Sequence, residues 1–149
     1  MLIREMTREA SLDLLARKGV GHLACALDGQ PYITPISFAY AGGALYGFAT
    51  AGQKITWMRA NPLVCVEADE IESPQKWMSV VVFGRYEELP DREELREARQ
   101  FAYSVLQRQP LWWEPGYART IIGGKERALE PIYFRIHVHH VSGHRATLE

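Results

Sequence analysis

The tightest constraint in this chain lies between Val20 and Leu89, where short apolar runs alternate with turn residues. Val20 to Leu27 and Pro31 to Tyr40 are joined by Asp28-Gly29, a pair suited to the positive-φ positions of a two-residue hairpin turn. Ala41-Gly42-Gly43 supplies a second turn before a third run, Ala44 to Thr50. Leu63 to Ala68 and Trp77 to Leu89 follow, the latter centred on Val80, Val81 and Val82. A sixth run, Pro131 to Val141, arrives late and is expected to end at Ser142-Gly143. Connections of two residues impose antiparallel pairing, and alternating βαβ units are absent, which argues against a doubly wound nucleotide fold. The expectation is a mostly β fold with peripheral helices, six antiparallel strands curling into a barrel so that apolar edges are not left open.

Two helices are expected outside the sheet, with a third, short one between strands. Thr7 to Lys18 has a capping threonine, Glu9 near its positive end and Gly19 as a stop. Ile55 to Ala60 is short, ended by Asn61-Pro62 because proline disfavours a helical residue before it. Asp91 to Glu94 has the form of a capping box and predicts a helix running to about Leu106. Gln107 to Leu129, which includes Trp112 and Trp113, is aromatic and irregular.

With 149 residues the chain is read as one domain, 1–149. Its 17 basic and 18 acidic side chains leave no basic excess for nucleic acid. No run approaches the length of a membrane span, and the start lacks the apolar core of a signal peptide. Cys25 and Cys65 sit in apolar runs and read as buried thiols of a reducing compartment, so a cytoplasmic location is expected.

Chemistry concentrates in Phe48 to Pro62, FATAGQKITWMRANP. Thr50 offers a hydroxyl, and Gly52 lets the backbone approach a ligand closely. Gln53, Lys54 and Ile55 occupy a helix start, where unpaired N–H groups and the dipole favour an anion. Two readings stand at this point: a phosphate cradle, or a plain turn with a solvated lysine. His137, His139, His140 and His144 invite a metal reading, with His137 and His139 on one strand face. No carboxylate or cysteine lies near them in sequence, so an exposed strand is the reading taken and no metal is expected. The thiols have nothing adjacent in sequence to lower their pKa and are expected to be inert.

The run GHLACALDGQPYITPISFAYAGGALYGFATAGQKITWMRANPLVCVEAD, followed by WMSVVVFGRYEEL, resembles the FMN-binding split-barrel family. Pyridoxamine 5′-phosphate oxidase and the nitroimidazole-resistance proteins are members of it. The likeness rests on the order of four elements: the Asp-Gly hairpin, the Pro-Ile-Ser-Phe strand, the Gly-x-Lys turn with its Arg-x-Asn-Pro helix end, and the Trp-x-Ser-Val-x-Val-x-Gly-Arg strand. The resemblance implies a six-stranded Greek-key split barrel and FMN held at a homodimer interface. Thr34, Pro35, Ile36 and Ser37 match the strand beside the isoalloxazine ring. Ala49 and Thr50 match the strand end near the ribityl chain and phosphate, and Gln53 with Lys54 matches a phosphate-holding pair that is often Arg-Lys. Trp77, Met78 and Ser79 match a strand that approaches the ring from the far side.

The implied activity is that of a flavin-dependent oxidoreductase acting on a small molecule, with a nicotinamide as possible electron donor. The alternative is a carrier or sensor of flavin, deazaflavin or haem on the same barrel. No catalytic side chain is identified. Pyridoxamine phosphate oxidases proper end in a segment whose Arg-x-His grips the substrate phosphate. Here Arg135-Ile-His137 has those letters inside a strand, so a looser relative is expected.

Overall fold

A computed structural model describes residues 1–108, 119–128 and 131–148; Trp112 and Trp113 lie outside them. The strands are β1 (Leu2–Glu5), β2 (Val20–Leu27), β3 (Gln30–Ser37), β4 (Ala39–Ala41), β5 (Ala44–Ala49), β6 (Leu63–Ser73), β7 (Lys76–Glu88), β8 (Arg119–Ile122), β9 (Lys125–Ala128) and β10 (Ile132–Thr147). The helices are α1 (Arg8–Lys18), α2 (Gln53–Ala60) and α3 (Arg96–Gln107). One antiparallel sheet runs β3-β2-β6-β7-β10-β5-β4, with β1 added to β10, and β8 pairs β9 separately. Its inward residues, among them Leu23, Val66, Val80, Val82, Phe134 and Ile136, are all under 1% or 1% exposed and form the main core.

The six expected runs are all strands, and the eight-stranded count has two local causes. β3 and β4 were expected as one strand. Phe38 divides them: its N–H makes the last rung toward the β2 side, to Gly19 O at 2.9 Å, and its ring is fully buried. Before Phe38 the chain pairs with β2, and after it with β5. The two ends of the sheet are therefore joined by chain continuity without a ladder between β3 and β5, and the barrel is split along that line. The other addition is β1, four exposed residues pairing with the far end of β10.

β10 does not stop at Ser142-Gly143 but continues to Thr147. Gly143 is a close-approach residue, not a turn: a Cβ there would lie 2.3 Å from Ser11 Oγ and 3.1 Å from Met6 Cβ. Its bare backbone lets α1 sit directly on the sheet. The first helix follows its caps, with Thr7 Oγ1 accepting from Ala10 N–H at 3.1 Å and Gly19 left-handed at φ 67°. The third differs from expectation. Glu93–Leu95 is a 3-10 turn, α3 begins at Arg96, and Asp91 makes no cap. α3 packs Ala102, Val105 and Leu106 onto the outer face of β4 and β5, making a second apolar cluster with Leu89 and Tyr46.

Candidate functional site: a split edge, a helix mouth and an outer face

α2 begins at Gln53, two residues earlier than expected, and ends at Ala60. Gly52 provides no side-chain cap, and the first helical bond runs from Thr56 N–H to Gly52 O at 3.1 Å. The amides of Gln53, Lys54 and Ile55 therefore precede the first intrahelical donor and face the helix mouth. A Cβ on Gly52 would meet nothing closer than 3.9 Å, so the space before the mouth is open. Ile55 and Met58 are buried, which turns this helix onto the barrel end. Asn61 fixes its far end, donating from Nδ2 to Ala26 O at 3.0 Å. Arg59 adds a two-pronged bond to Glu88, 2.8 and 3.1 Å.

Lys54 is half-buried, and its ammonium acts on Cys25. Burial raises the Cys25 thiol pKa and Lys54 partly offsets that rise. Cys25 lies opposite Tyr32 in the β2–β3 ladder, so the Lys54 charge acts on the β2–β3 side of the sheet. Trp57 confirms this side of the helix, its ring 5.8 Å from Tyr32. From Tyr32 to Ser37 the strand covers about 16 Å at 3.3 Å per residue. α2, through Trp57, meets one end of this stretch at Tyr32, and Ser37 stands at the other.

The open edge of β3 has a legible polarity. Phe38 N–H points toward β2, so strand alternation sends the amides of residues 36, 34 and 32 the same way. Odd residues face the free edge. Pro31 and Pro35 occupy such positions, where a missing N–H breaks no ladder bond. Ile33 and Ser37 are left as the edge donors of β3. Ser37 Oγ is also buried and has no hydrogen-bond partner, a condition native structures avoid unless a ligand or water completes it.

Ala49 is fully buried and pairs with Ile132, placing Thr50 at the end of β5 beside α2. Thr34 to Ser37 lie on the open edge strand β3, Ala49 and Thr50 at the end of β5, and Gln53 and Lys54 at the start of α2. Trp77 and Ser79 are apart from β3. They lie on β7, three strands from β3 across β2 and β6, about 14 Å at the usual strand spacing. Trp77 borders a separate 250 Å³ cavity with Met78 and Arg145. Ser79 donates its hydroxyl to Glu67 Oε2 at 3.1 Å, and His22 Nδ1 lies 3.3 Å from Glu67 Oε1. Burial, reinforced by Asp69, pushes the Glu67 carboxyl pKa up against the pull of His22 and Ser79. The His22–Glu67–Ser79 chain joins residues 57 positions apart and left no local signal in the sequence.

The histidines are arranged otherwise than strand alternation predicts. A bulge between Val138 and His140 shifts the register, so that His137 and His140 stand opposite Arg85 and Phe83 on one face. His140 packs on Phe83 with ring centres 5.8 Å apart. A carboxylate partner does exist, supplied by the neighbouring strand. Glu87 Oε1 lies 2.8 Å from His137 Nε2 and accepts from Arg135 Nε at 2.6 Å. Burial opposes ionisation of Glu87, but Arg135 and His137 together draw its pKa below the usual range. Arg135 and His137 are committed to that carboxylate. Among the described residues no group of three or more His, Cys, Asp or Glu is placed to hold a metal, and no helix is long and apolar enough to cross a membrane.

The sequence profile of the pyridoxamine 5′-phosphate oxidase family matches residues 7–145. The chain belongs to that family. An uncharacterised family relative from Rhizobium meliloti (strain 1021) is 40% identical over 146 residues, covering 98% of this chain and 97% of that one. A FAD-binding protein from Mesorhizobium loti, known from a crystal structure, is 44% identical. It superposes with a TM-score of 0.81 over 99% of this chain and 100% of that one. The fold extends to a putative 5-nitroimidazole antibiotic resistance protein from Bacteroides thetaiotaomicron. There the TM-score is 0.69 at 16% identity, over 97% of this chain and 89% of that one. The family's split-barrel fold is the one observed here.

Proposed function

We propose that this protein is a cytoplasmic flavin-dependent oxidoreductase that holds FMN, alone or as the FMN half of FAD, along the split between β3 and β5. The observation that carries the proposal is the pairing of a cationic helix mouth, on a helix that meets β3 at Tyr32, with an orphaned buried hydroxyl, Ser37 Oγ, farther along that strand. The 44%-identical Mesorhizobium loti protein, named for FAD binding, supports the same ligand class. Bound flavin supplies hydride chemistry with a small-molecule substrate and a nicotinamide donor.

The chain's own residues have narrower tasks. Gln53, Lys54 and Ile55 N–H and the Lys54 ammonium hold the phosphate, and Thr50 contributes its hydroxyl. With Gln53 where relatives carry a second cation, charge neutralisation falls to Lys54 alone in that pair. Ile33 and Ser37 amides, with Ser37 Oγ, hydrogen-bond the polar rim of the ring, while Thr34, Pro35 and Ile36 form the wall along it.

A second copy of the chain completes the site by bringing Trp77, Met78 and Ser79 from its β7. The outer face supports such a homodimer: Leu63, Phe83 and Ile33 are 59%, 45% and 65% exposed. The first two border a 380 Å³ apolar hollow with Pro31, Ala24 and Cys65. Equilibrium sedimentation with flavin present should give a dimer, and a monomer would refute this part.

The decisive test is uptake of flavin. The protein should carry visible flavin absorbance or acquire it on titration with FMN, and Lys54→Ala should weaken binding about tenfold. A chain that never takes up FMN or FAD ends the proposal. Anaerobic reduction by a nicotinamide, followed by reoxidation with a nitroaromatic or quinone over many cycles, tests turnover. Uptake without turnover under any donor would make the protein a carrier.

A further inference from the structure

Away from the split, α3 presents a second stripe whose chemistry the flavin reading does not use. Arg96, Arg99, Gln100 and Tyr103 recur at i, i+3, i+4 and i+7, one face of a helix. With Asp91 and Tyr133 they line a cleft of 370 Å³. Its floor is preorganised. Arg99 donates from Nη1 to Leu89 O at 2.7 Å and stacks its guanidinium 4.9 Å from the Tyr133 ring centre. Tyr103 meets Tyr133 edge-on, ring centres 6.5 Å apart, and stays 53% exposed. Two guanidinium groups face one carboxylate, and among the described residues neither Arg96 nor Asp91 forms an ion pair. The cleft therefore combines an aromatic surface with one more cation than anion among its lining residues, in a volume that suits a small ligand. It lies on the outer face of β10, whereas Ala49 beside the split is turned into the core.

We infer that this cleft binds a planar aromatic oxyanion, its ring on the exposed Tyr103 and its phosphate or carboxylate at Arg96. The stack supplies affinity for the ring, and a guanidinium fork supplies directional bonds to the oxygens. Arg99, already engaged, holds the stack in place.

The inference does not rest on flavin binding, and its test separates the two. Calorimetric titrations of the protein as purified would use AMP and salicylate as ring-plus-anion probes, with adenosine and inorganic phosphate as the separated halves of the first and phenol as the anion-free ring of the second. AMP or salicylate should saturate one site per chain, and whichever of the two binds identifies a nucleotide or an aryl acid as the natural class. Each half alone should bind at least about tenfold more weakly. Arg96→Glu and Tyr103→Ala, both at exposed positions, should keep the melting temperature and weaken the probe about tenfold or more, while Lys54→Ala leaves the titration unchanged. No saturation by either probe at millimolar concentration would overturn the assignment. So would halves that bind as well as the whole, or a loss caused by Lys54→Ala and not by Arg96→Glu.

Discussion

The contact that pins α2 to the sheet yields a prediction in which two effects can be ranked. Glu88 accepts from Arg59 on α2 and also from Tyr86 Oη at 2.8 Å. The Arg59 side chain is 53% exposed, so the ion pair contributes only about 0.5 kcal/mol. Tyr86 is 6% exposed, and burial, with Glu88 reinforcing it, drives its hydroxyl pKa well above the usual value. Removing the acceptor strands that hydroxyl at a cost of about 1–3 kcal/mol. Glu88→Ala should therefore cost about 2–3 kcal/mol, near 4–12 °C in melting temperature for a chain of this size. Tyr86→Phe should cost about 1 kcal/mol and Arg59→Ala less, while Glu88→Gln, which keeps an acceptor, should fall below Glu88→Ala. Urea unfolding of the four variants gives the ranking from midpoint shifts at constant slope. The carboxyl pKa of Glu88 is lowered, first by Arg59. Its contribution should be present above the usual glutamate range and be lost as pH falls through the lowered value. An Arg59→Ala penalty equal to that of Glu88→Ala would refute the reasoning, since the ion pair would then outweigh the buried hydroxyl.

Three further outcomes rest on other contacts of the same sheet. Gly84→Ala would set a Cβ 2.4 Å from His137 O and 2.7 Å from Ile136 Cγ2, so it should destabilise by more than about 3 kcal/mol or abolish soluble expression, read by thermal melting. Glu67 has its carboxyl pKa raised by burial, so its ionisation destabilises the fold as pH climbs past the ordinary glutamate range. Glu67→Gln should match the parent in acid and exceed it at neutral pH in parallel denaturation curves. Cys25 is 4% exposed and both thiols have pKa values raised by burial, so a maleimide should modify the native protein slowly and at Cys65 before Cys25, read by peptide mass.

What the letters disclosed and what they hid divide along physical lines. Asp28-Gly29 and Gly42-Gly43 were readable because turns with positive φ have a small residue vocabulary, and φ is 50°, 80°, 56° and 81° there. Thr7 and Gly19 were readable as caps for the same local reason. Gly143 was misread as a terminus because a glycine admitting a neighbouring helix looks identical to one making a turn; only the position of Ser11 separates them. The Asp91 capping box failed because α3 is placed by packing of Ala102, Val105 and Leu106, not by its cap. The place of Lys54 in the first turn of a helix was legible from spacing. The orphaned Ser37 hydroxyl, the Glu67 chain and the Arg96 stripe over Tyr133 were not, since each needs strands brought together from distant parts of the sequence.

β10 serves β7 along most of its length, β5 at its start and β1 at its close. During synthesis, the earlier partners emerge from the ribosome with bare edges and must wait for Ile132–Thr147 before the sheet can be joined. Long-range pairing of this kind is slow and leaves sticky intermediates exposed in the interval. Nascent chains stalled before residue 132 should therefore be the forms that chaperones engage most.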